Sequence, residues 1–266
     1  MRKFIVLFVM LSCAQMFAQT SLQAILIVGP QEDGTRGAEN EMNTVAATFE
    51  LNKIKVHKFY NLKADWDSIV KVAKNCSFFV YAGHGSTMGE NGSTGGLCLT
   101  TMVSTKKMLA ELKLKKNAMI IFKSVCRGAG SSASDDKDIG ISEAKKRVIN
   151  YAEPFFKMGA AAYVAINYDQ TVPGFLIDFF ANKSLKDAFE KVVRSTGTEI
   201  EYDAALPTDL TKNVCISSDE GGGETTRITY TNGVKKVEKF ISPKTYENAY
   251  VGNKLFNFSL LKQGAQ

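Results

Sequence analysis

The chain has 266 residues, of which 45% are hydrophobic and 23% are charged. This composition is typical of a globular protein and argues against a disordered, collagen-like or coiled-coil chain. The formal net charge is +6, and it falls to +4 without Arg2 and Lys3, which belong to the leader described next. A charge this small and evenly spread does not favour nucleic acid, so we expect no nucleic-acid partner.

The first 18 residues have the pattern of a signal peptide. Arg2 and Lys3 precede an apolar run, Phe4–Leu11, and Ala18 is a small residue before a cleavage point. The apolar run is shorter than the roughly 20 residues that a membrane-spanning helix needs, and no later segment is longer and as apolar. We therefore predict an exported protein, periplasmic or secreted, with Gln19 as its mature N-terminus and no membrane span.

Two other interpretations of the leader stay open. The apolar run could form a buried strand, or Ser12-Cys13 could be a lipoprotein junction that anchors the chain through Cys13. Four cysteines remain after cleavage, at positions 76, 98, 126 and 215. They are widely spaced and form no C-x-x-C pair, so we expect no structural zinc site.

Strands and helices are predicted to alternate along most of the chain. Short apolar runs predict strands at 23–28, 53–60, 76–82, 97–101, 118–125, 160–166 and 213–217. Helical spacing of apolar residues predicts helices at 38–51, 65–74, 104–114, 148–158, 175–180 and 185–193. Such alternation is typical of an α/β fold with a mostly parallel sheet covered by helices.

A β-hairpin is predicted near the end of the chain. Asn232-Gly233 separates two runs, 225–230 and 234–241, and Asn-Gly is a strong hairpin signal. We expect this hairpin to add an antiparallel edge to the sheet. Since no linker-like stretch divides the chain, residues 19–266 are predicted to form one domain. No sequence feature specifies an oligomeric state.

Two of the predicted strands end in residues that can do chemistry. His84 follows CSFFVYAG and Cys126 follows AMIIFKSV. In parallel sheets the active residues lie just beyond the carboxyl ends of strands, and neighbouring strands would bring these two ends together. Gly83 and Gly85 allow a sharp turn around the histidine. The other histidine, His57, lies inside an alternating strand, where it packs or faces solvent.

A cysteine next to a histidine is an arrangement that suits nucleophilic catalysis. A thiolate attacks a carbonyl, and the imidazole receives or returns the proton. Backbone N–H groups of Gly85 and Cys126 could donate hydrogen bonds to the resulting oxyanion. Either residue alone is more often structural, as a buried thiol or an ordinary Gly-His-Gly loop. The pair, at two strand ends, favours a Cys126–His84 dyad.

These two blocks resemble those of the caspase-like cysteine peptidases, the group that contains caspases, metacaspases, legumains, clostripain and gingipains. FFVYAGHGS and IIFKSVCRGAG fit the family's His-Gly and nucleophile segments, and GAENEM at 37–42 resembles the start of its first helix. The resemblance covers about residues 23–194. It implies a three-layer α/β/α sandwich, cysteine endopeptidase activity on protein or peptide substrates, and no organic cofactor. Residues 201–266 match nothing in the family and form an extension.

The resemblance also identifies candidate substrate-binding residues. Ser124 stands where metacaspases, legumains and clostripain-like enzymes place an acidic residue and caspases a glutamine. Strand alternation would project residue 124 to the same side as Cys126. Arg36 lies near the position of a caspase arginine that binds an acidic substrate side chain. We expect no strong preference for cleavage after Lys or Arg; such a preference would implicate another acidic group, such as Asp169.

Several alternatives compete with the peptidase. A caspase-like fold without turnover would be a binding module, although the retained dyad counts against it. A nucleotide-binding protein or another α/β hydrolase would use Gly29–Gly34 as a phosphate loop, but the G-x-G-x-x-G spacing and the lysine are missing. Calcium could bind the acidic residues at 135, 136 and 138, but the glycine and final glutamate of a calcium loop are absent. We expect no metal site.

Overall fold

The computed structural model describes residues 22–31, 35–167, 172–195, 199–203, 213–231 and 234–264. The predicted leader, including the candidate lipoprotein Cys13, lies outside these ranges. Asp169 and the Asn232-Gly233 turn also lie outside them.

Twelve strands are present in the described residues, and eight of them form one central sheet. The strands are β1 (Gln23–Val28), β2 (Lys55–Tyr60), β3 (Phe78–Ala82), β4 (Leu97–Cys98), β5 (Met102–Val103), β6 (Met119–Lys123), β7 (Ala162–Ile166), β8 (Glu199–Asp203), β9 (Asn213–Asp219), β10 (Glu224–Thr231), β11 (Val234–Ile241) and β12 (Thr245–Gly252). The sheet order is β2-β1-β3-β6-β7-β12-β9-β8.

The central sheet is parallel in one part and antiparallel in the other. Strands β2, β1, β3, β6 and β7 are parallel neighbours, whereas β12, β9 and β8 pair antiparallel. This confirms the predicted mostly parallel sheet. The strands β9 and β12, which come from the segment that resembles no family, extend the same sheet beside β7.

Seven helices are present in the described residues, and they cover both faces of the sheet. They are α1 (Thr35–Leu51), α2 (Trp66–Ala73), α3 (Thr105–Glu111), α4 (Gly140–Lys157), α5 (Val172–Phe180), α6 (Leu185–Arg194) and α7 (Phe258–Gly264). Helices α2, α3 and α4 contribute to the core on one face, and α1, α5, α6 and α7 to the core on the other. The fold is therefore a three-layer α/β/α sandwich, as predicted.

Central strands are apolar throughout because helices bury both of their faces. In β3, Phe79 and Tyr81 join the core beneath α4, whereas Phe78 and Val80 join the opposite core, and all four are fully buried. Since side chains alternate along a strand, each face of β3 supplies one core. The continuous run FFVYA therefore indicates a central strand rather than an edge strand.

The predicted hairpin forms, but its expected place in the sheet was wrong. Strands β10 and β11 pair with each other in a separate two-stranded sheet and do not join the central one. The antiparallel part of the central sheet is made instead by β12, β9 and β8. Helix α4 also begins eight residues before the predicted start at Val148, because residues 140–147 bury only Ala144 and so show little apolar periodicity.

Candidate active site

The two candidate catalytic residues follow neighbouring parallel strands. Strands β3 and β6 are paired, with Ala82 opposite Lys123 at their carboxyl ends. His84 lies two residues beyond β3, and Cys126 lies three residues beyond β6. The predicted meeting of these two strand ends at one edge of the sheet is therefore confirmed.

The loop after His84 packs directly against the backbone of Cys126. A Cβ atom placed on Gly85 would overlap the carbonyl oxygen of Cys126 and lie 2.8 Å from its carbonyl carbon. The same atom would lie 2.8 Å from the Tyr151 hydroxyl oxygen. Only glycine permits so close an approach, so this residue sets the spacing between the two loops.

The reactive side chains of the two loops are accessible. His84 is exposed and Cys126 is half-buried with a free thiol. Among the described residues, neither the imidazole nor the thiol takes part in a hydrogen bond. The imidazole is therefore free to turn toward the sulfur, and catalytic hydrogen bonds are often loose in enzymes without substrate.

Two backbone N–H groups at the site have no acceptor within the described part of the chain. These belong to Gly85 and Cys126. The next donor along, the N–H of Ser86, is instead bonded to the Tyr151 hydroxyl at 2.8 Å. Unpaired N–H groups at a loop next to a thiol are suitable donors to a developing oxyanion.

The segment after Cys126 turns back on itself and is bonded at several points. Arg127 has a positive φ of 68°, and the N–H of Gly128 donates to the Val125 carbonyl at 2.8 Å. The Tyr163 hydroxyl donates to the Gly128 carbonyl at 2.9 Å. These bonds fix the backbone just after the thiol.

An ion pair anchors the far end of this segment. The Arg147 guanidinium, on α4, lies 2.7 Å from the Asp135 carboxylate and donates to the Gly130 carbonyl at 3.1 Å. The two side chains are only 12% and 14% exposed. Desolvation of the Arg147 guanidinium would lower its pKa, but bonds to the two carboxylates of Asp135 and Glu143 outweigh it and raise the pKa.

The C-terminal strand β12 also contacts the segment after Cys126. The Ser131 N–H donates to the Tyr246 carbonyl at 3.1 Å, and the Tyr246 N–H donates to the Ser131 hydroxyl at 2.8 Å. One residue further, the Glu247 carbonyl accepts from the N–H of Asn167 at 3.1 Å. Burial raises the pKa of the Glu247 side chain to about 7.

Tyr81 lies within the strand predicted at 76–82, and nothing in the sequence indicates that its hydroxyl contacts the site. Its hydroxyl lies 2.9 Å from the His84 carbonyl and 3.1 Å from the Cys98 carbonyl, and it accepts from the Cys98 N–H at 3.1 Å. Burial raises the pKa of this phenol, so it stays neutral. Cys98 was not predicted either, since it lies on a strand of two residues with no periodicity.

The aromatic rings under the site hold three tyrosine hydroxyl groups in place. Phe122 packs edge-on against Tyr81, Tyr151 and Tyr163, with ring centroids 5.4, 5.5 and 5.2 Å away. Edge-to-face packing at these distances is favourable and directional. The tyrosine hydroxyls consequently point out of the core toward the loops.

The candidate substrate-binding residues are placed unequally. Ser124 is exposed, with a positive φ of 53°, and its N–H donates to the Ile166 carbonyl at 3.0 Å. Because β6 ends at Lys123, strand alternation does not extend to residue 126, and that part of the sequence argument was wrong. Arg36 lies in the first turn of α1, but its side chain is outside the described residues, as is the whole of Asp169.

The residue before Ser124 does not face away from it. Lys123 is 5% exposed, lies 3.6 Å from the Glu41 carboxylate and donates to the Ser124 hydroxyl at 3.0 Å. Burial raises the pKa of Glu41, although the ammonium opposes this. A positive charge therefore lies directly behind the exposed Ser124 hydroxyl.

The remaining candidate sites fit their alternative functions poorly. The Gly29 N–H donates to the Ala82 carbonyl at 2.8 Å, so it is not free for a phosphate, and residues 32–34 of that loop lie outside the described ranges.

Within the described ranges, no three His, Cys, Asp or Glu side chains come together as a metal site would require. Of the acidic residues considered for calcium, Asp135 is bonded to Arg147 and Asp138 to the Gly140 N–H. His57, on the edge strand β2, bonds Gln23 at 2.8 Å and lies two strands from β3 in the sheet order.

Comparisons with known proteins return distant structural matches and no sequence family. No protein-family model matches the chain, and a search of curated proteins finds none that is similar. The solved structures that match include the crystal structure of the Drosophila initiator caspase Dronc, at 13% identity and a TM-score of 0.35. That match covers 66% of this chain and 73% of the other. No helix in the described residues is long and apolar enough to cross a membrane.

Proposed function

We propose that the chain is a cysteine endopeptidase that cleaves peptide bonds through Cys126 and His84. The observation that carries this proposal is the packing of Gly85 against the Cys126 carbonyl, which brings the His84 loop to the thiol at the carboxyl edge of a parallel sheet. The resemblance of the two sequence blocks to caspase-like peptidases supports the same reaction.

The proposed mechanism uses groups already at this edge. His84 takes the thiol proton of Cys126, and the thiolate attacks the substrate carbonyl carbon. The oxyanion accepts hydrogen bonds from the N–H groups of Gly85 and Cys126. His84 then gives the proton to the leaving amine, and water, activated by the same imidazole, hydrolyses the thioester. None of these proposed steps requires a metal or an organic cofactor.

The proposed substrates are proteins or peptides that lack a strong requirement for Lys or Arg before the cut bond. The resemblance places Ser124 at the pocket for that residue. Ser124 brings no negative charge to bind a cationic side chain, and its hydroxyl accepts from the Lys123 ammonium, whose charge Glu41 already pairs. We therefore propose a preference for acidic or small side chains. Arg36 remains a proposed contact to an acidic substrate side chain, and Asp169 the candidate if basic residues are cleaved instead.

We further propose that the enzyme acts outside the cytoplasm. Residues 1–18 would direct export to the periplasm or the medium and leave Gln19 first, with anchoring through Cys13 as the alternative. N-terminal sequencing of the protein from the native host distinguishes them, because a lipoprotein begins at a modified Cys13.

The test is a peptide-library cleavage assay with three variants. Cys126→Ala should reduce hydrolysis to background, and His84→Ala should lower kcat/KM by about 10²–10⁴-fold, the usual contribution of a general base. His57→Gln is the matched control and should retain activity, since that ring bonds Gln23 away from the dyad. A Cys126→Ala protein as active as the wild type would overturn the peptidase.

The same assay separates the enzyme from a binding module without turnover. A reactive thiol at Cys126, shown by fast alkylation, together with peptide cleavage supports the enzyme. Peptide binding with no cleavage by any library member, and slow alkylation of Cys126, would assign the fold to interaction instead. Cleavage mainly after Lys or Arg would leave the enzyme in place but refute the role given to Ser124.

A further inference from the structure

A second partly exposed cysteine lies beside the candidate nucleophile. Cys98 and Cys126 are both half-buried free thiols, whereas Cys76 and Cys215 are free thiols that are fully buried. The proposed peptidase mechanism uses only Cys126. Cys98 therefore has no role in the reaction derived above, although it lies at the same edge of the sheet.

The backbone of Cys98 is fixed at this edge by the same group that holds the His84 loop. The Tyr81 hydroxyl bonds both the N–H and the carbonyl of Cys98, and it also lies 2.9 Å from the His84 carbonyl. One residue after His84, Gly85 touches the Cys126 carbonyl. The two cysteines are thus joined through a short chain of direct contacts.

Electrostatic effects agree that the two sulfurs are near each other. Burial raises the pKa of the Cys98 thiol, and the proximity of Cys126 raises it further. Both thiols also raise the pKa of the Tyr151 phenol, which burial has already raised more strongly. Cys98 therefore stays protonated at neutral pH and is itself a slow target for oxidants, which react with thiolates.

We propose that Cys98 and Cys126 are a reversible redox pair, in which Cys98 resolves an oxidised Cys126. The oxidant is a hydroperoxide. The Cys126 thiolate attacks one peroxide oxygen and becomes a sulfenic acid, while the other oxygen leaves as hydroxide or alkoxide. The Cys98 sulfur then attacks the sulfenic sulfur, the S–O bond breaks, and the departing hydroxyl takes the Cys98 proton to form water. The proton lost by Cys126 converts the first leaving group to water or an alcohol. Two thiols are oxidised and one peroxide is reduced.

The strand that carries Cys98 is short. Strands β4 and β5 pair over only two residues each, Leu97 with Val103 and Cys98 with Met102, so the main contacts that a shift of Cys98 must change are this pairing and the Tyr81 hydroxyl. A disulfide needs Cα atoms about 4.4–6.8 Å apart. Closing it would remove the nucleophile from the site and protect it from irreversible oxidation. The pair rests on the proposed function only in requiring a reactive Cys126.

The test maps thiols in the purified, reduced full-length chain after brief treatment with hydrogen peroxide. Free thiols are blocked with N-ethylmaleimide, and tryptic peptides are analysed by mass spectrometry. Trypsin releases Cys126 in Ser124–Arg127, but Cys98 shares Asn75–Lys106 with Cys76. The experiment is therefore run in parallel on Cys76→Ala, in which a crosslink to that peptide identifies Cys98.

We expect a Cys98–Cys126 crosslink that forms with peroxide and disappears with dithiothreitol, together with loss and recovery of Cys126 alkylation. In Cys98→Ser the crosslink should be absent and Cys126 should proceed to sulfinic and sulfonic acid. Cys215→Ala is the matched control and should behave as the wild type. Equal rates of Cys126 overoxidation in the wild type and Cys98→Ser, or a crosslink to Cys76, would overturn the pair.

The outcome is independent of the peptidase assay. A reversible crosslink in a chain that cleaves no peptide would support the redox pair and remove the proposed hydrolysis. Cleavage by Cys126 without any crosslink would support the peptidase and remove the pair.

Discussion

The sharpest test of the site geometry is the substitution Gly85→Ala, which changes neither reactive side chain. The added Cβ would lie 2.8 Å from the Cys126 carbonyl carbon and closer still to its oxygen. Normal carbon–carbon contacts are about 3.5–4.0 Å, so the two loops must separate by about 1 Å. The atoms in the way belong to the backbone and to a buried tyrosine, and neither can simply rotate aside.

Two effects of different size should follow from this separation. Overpacking typically costs about 1–3 kcal/mol of stability, which lowers the melting temperature but leaves the chain folded. The catalytic effect should be larger, because a 1 Å displacement of reacting groups can cost about 10²-fold in rate. It should appear in kcat rather than KM, since the displaced groups act on the transition state.

The assay is steady-state peptide hydrolysis alongside thermal unfolding, with Gly223→Ala as the matched control. A Cβ at Gly223 would meet only the Ser242 hydroxyl, at 3.8 Å, and that residue is far from the dyad in the chain. The control should keep both activity and melting temperature. A Gly85→Ala enzyme with unchanged kcat would refute the view that this contact sets the distance between the two loops.

Three further substitutions test how the site is supported. Tyr81→Phe should cost about 1–3 kcal/mol, measured by urea unfolding, because it leaves the backbone groups of His84 and Cys98 without their partner; unchanged stability would contradict this. Arg147→Met should cost about 1–3 kcal/mol, because the partly buried Asp135 carboxylate loses its charged partner and keeps the Ser132 N–H, and a loss below 1 kcal/mol would mean that solvent already screens the pair. The pKa of Glu247 is about 7 in the folded chain, against an ordinary value of 4.5. Between these values the folded chain binds more protons than the unfolded chain, so stability should fall as pH rises, and Glu247→Gln should abolish this decline in unfolding curves measured from pH 4 to pH 8.

The strands that consist of apolar residues could be predicted from the sequence. Runs such as FFVYA and MIIFK are apolar at every position but the last lysine because both faces of the sheet are covered, and this alone identified them as strands of a sheet covered by helices. The rule that reactive groups follow the carboxyl ends of strands then placed His84 and Cys126 on one edge. The topology of that edge agreed with the prediction because it depends only on strand order.

Features that depend on contacts distant in sequence could not be predicted. Strand β12 reads TYENAYVG, and its buried Asn248 donates through its amide to the Ser217 hydroxyl at 3.0 Å, a partner 31 residues away. The same holds for Cys98, whose place is set by one tyrosine hydroxyl. Ser124 differs for a local reason: its positive φ ends the alternation on which its expected direction depended.

The bonds between Ser131 and Tyr246 have a consequence for synthesis on the ribosome. The two residues are 115 positions apart, so the segment after Cys126 gains these partners only after residue 246 has been made. Domains grow from the N-terminus at about 5–20 residues per second, and long-range pairing comes last. A nascent chain that already contains the His84 and Cys126 loops would still lack the Ser131–Tyr246 bonds. Chains truncated before residue 246 should therefore have a disordered segment after Cys126 and no hydrolytic activity. Residue 246 must therefore be present before the segment after Cys126 can gain the two bonds that join it to β12.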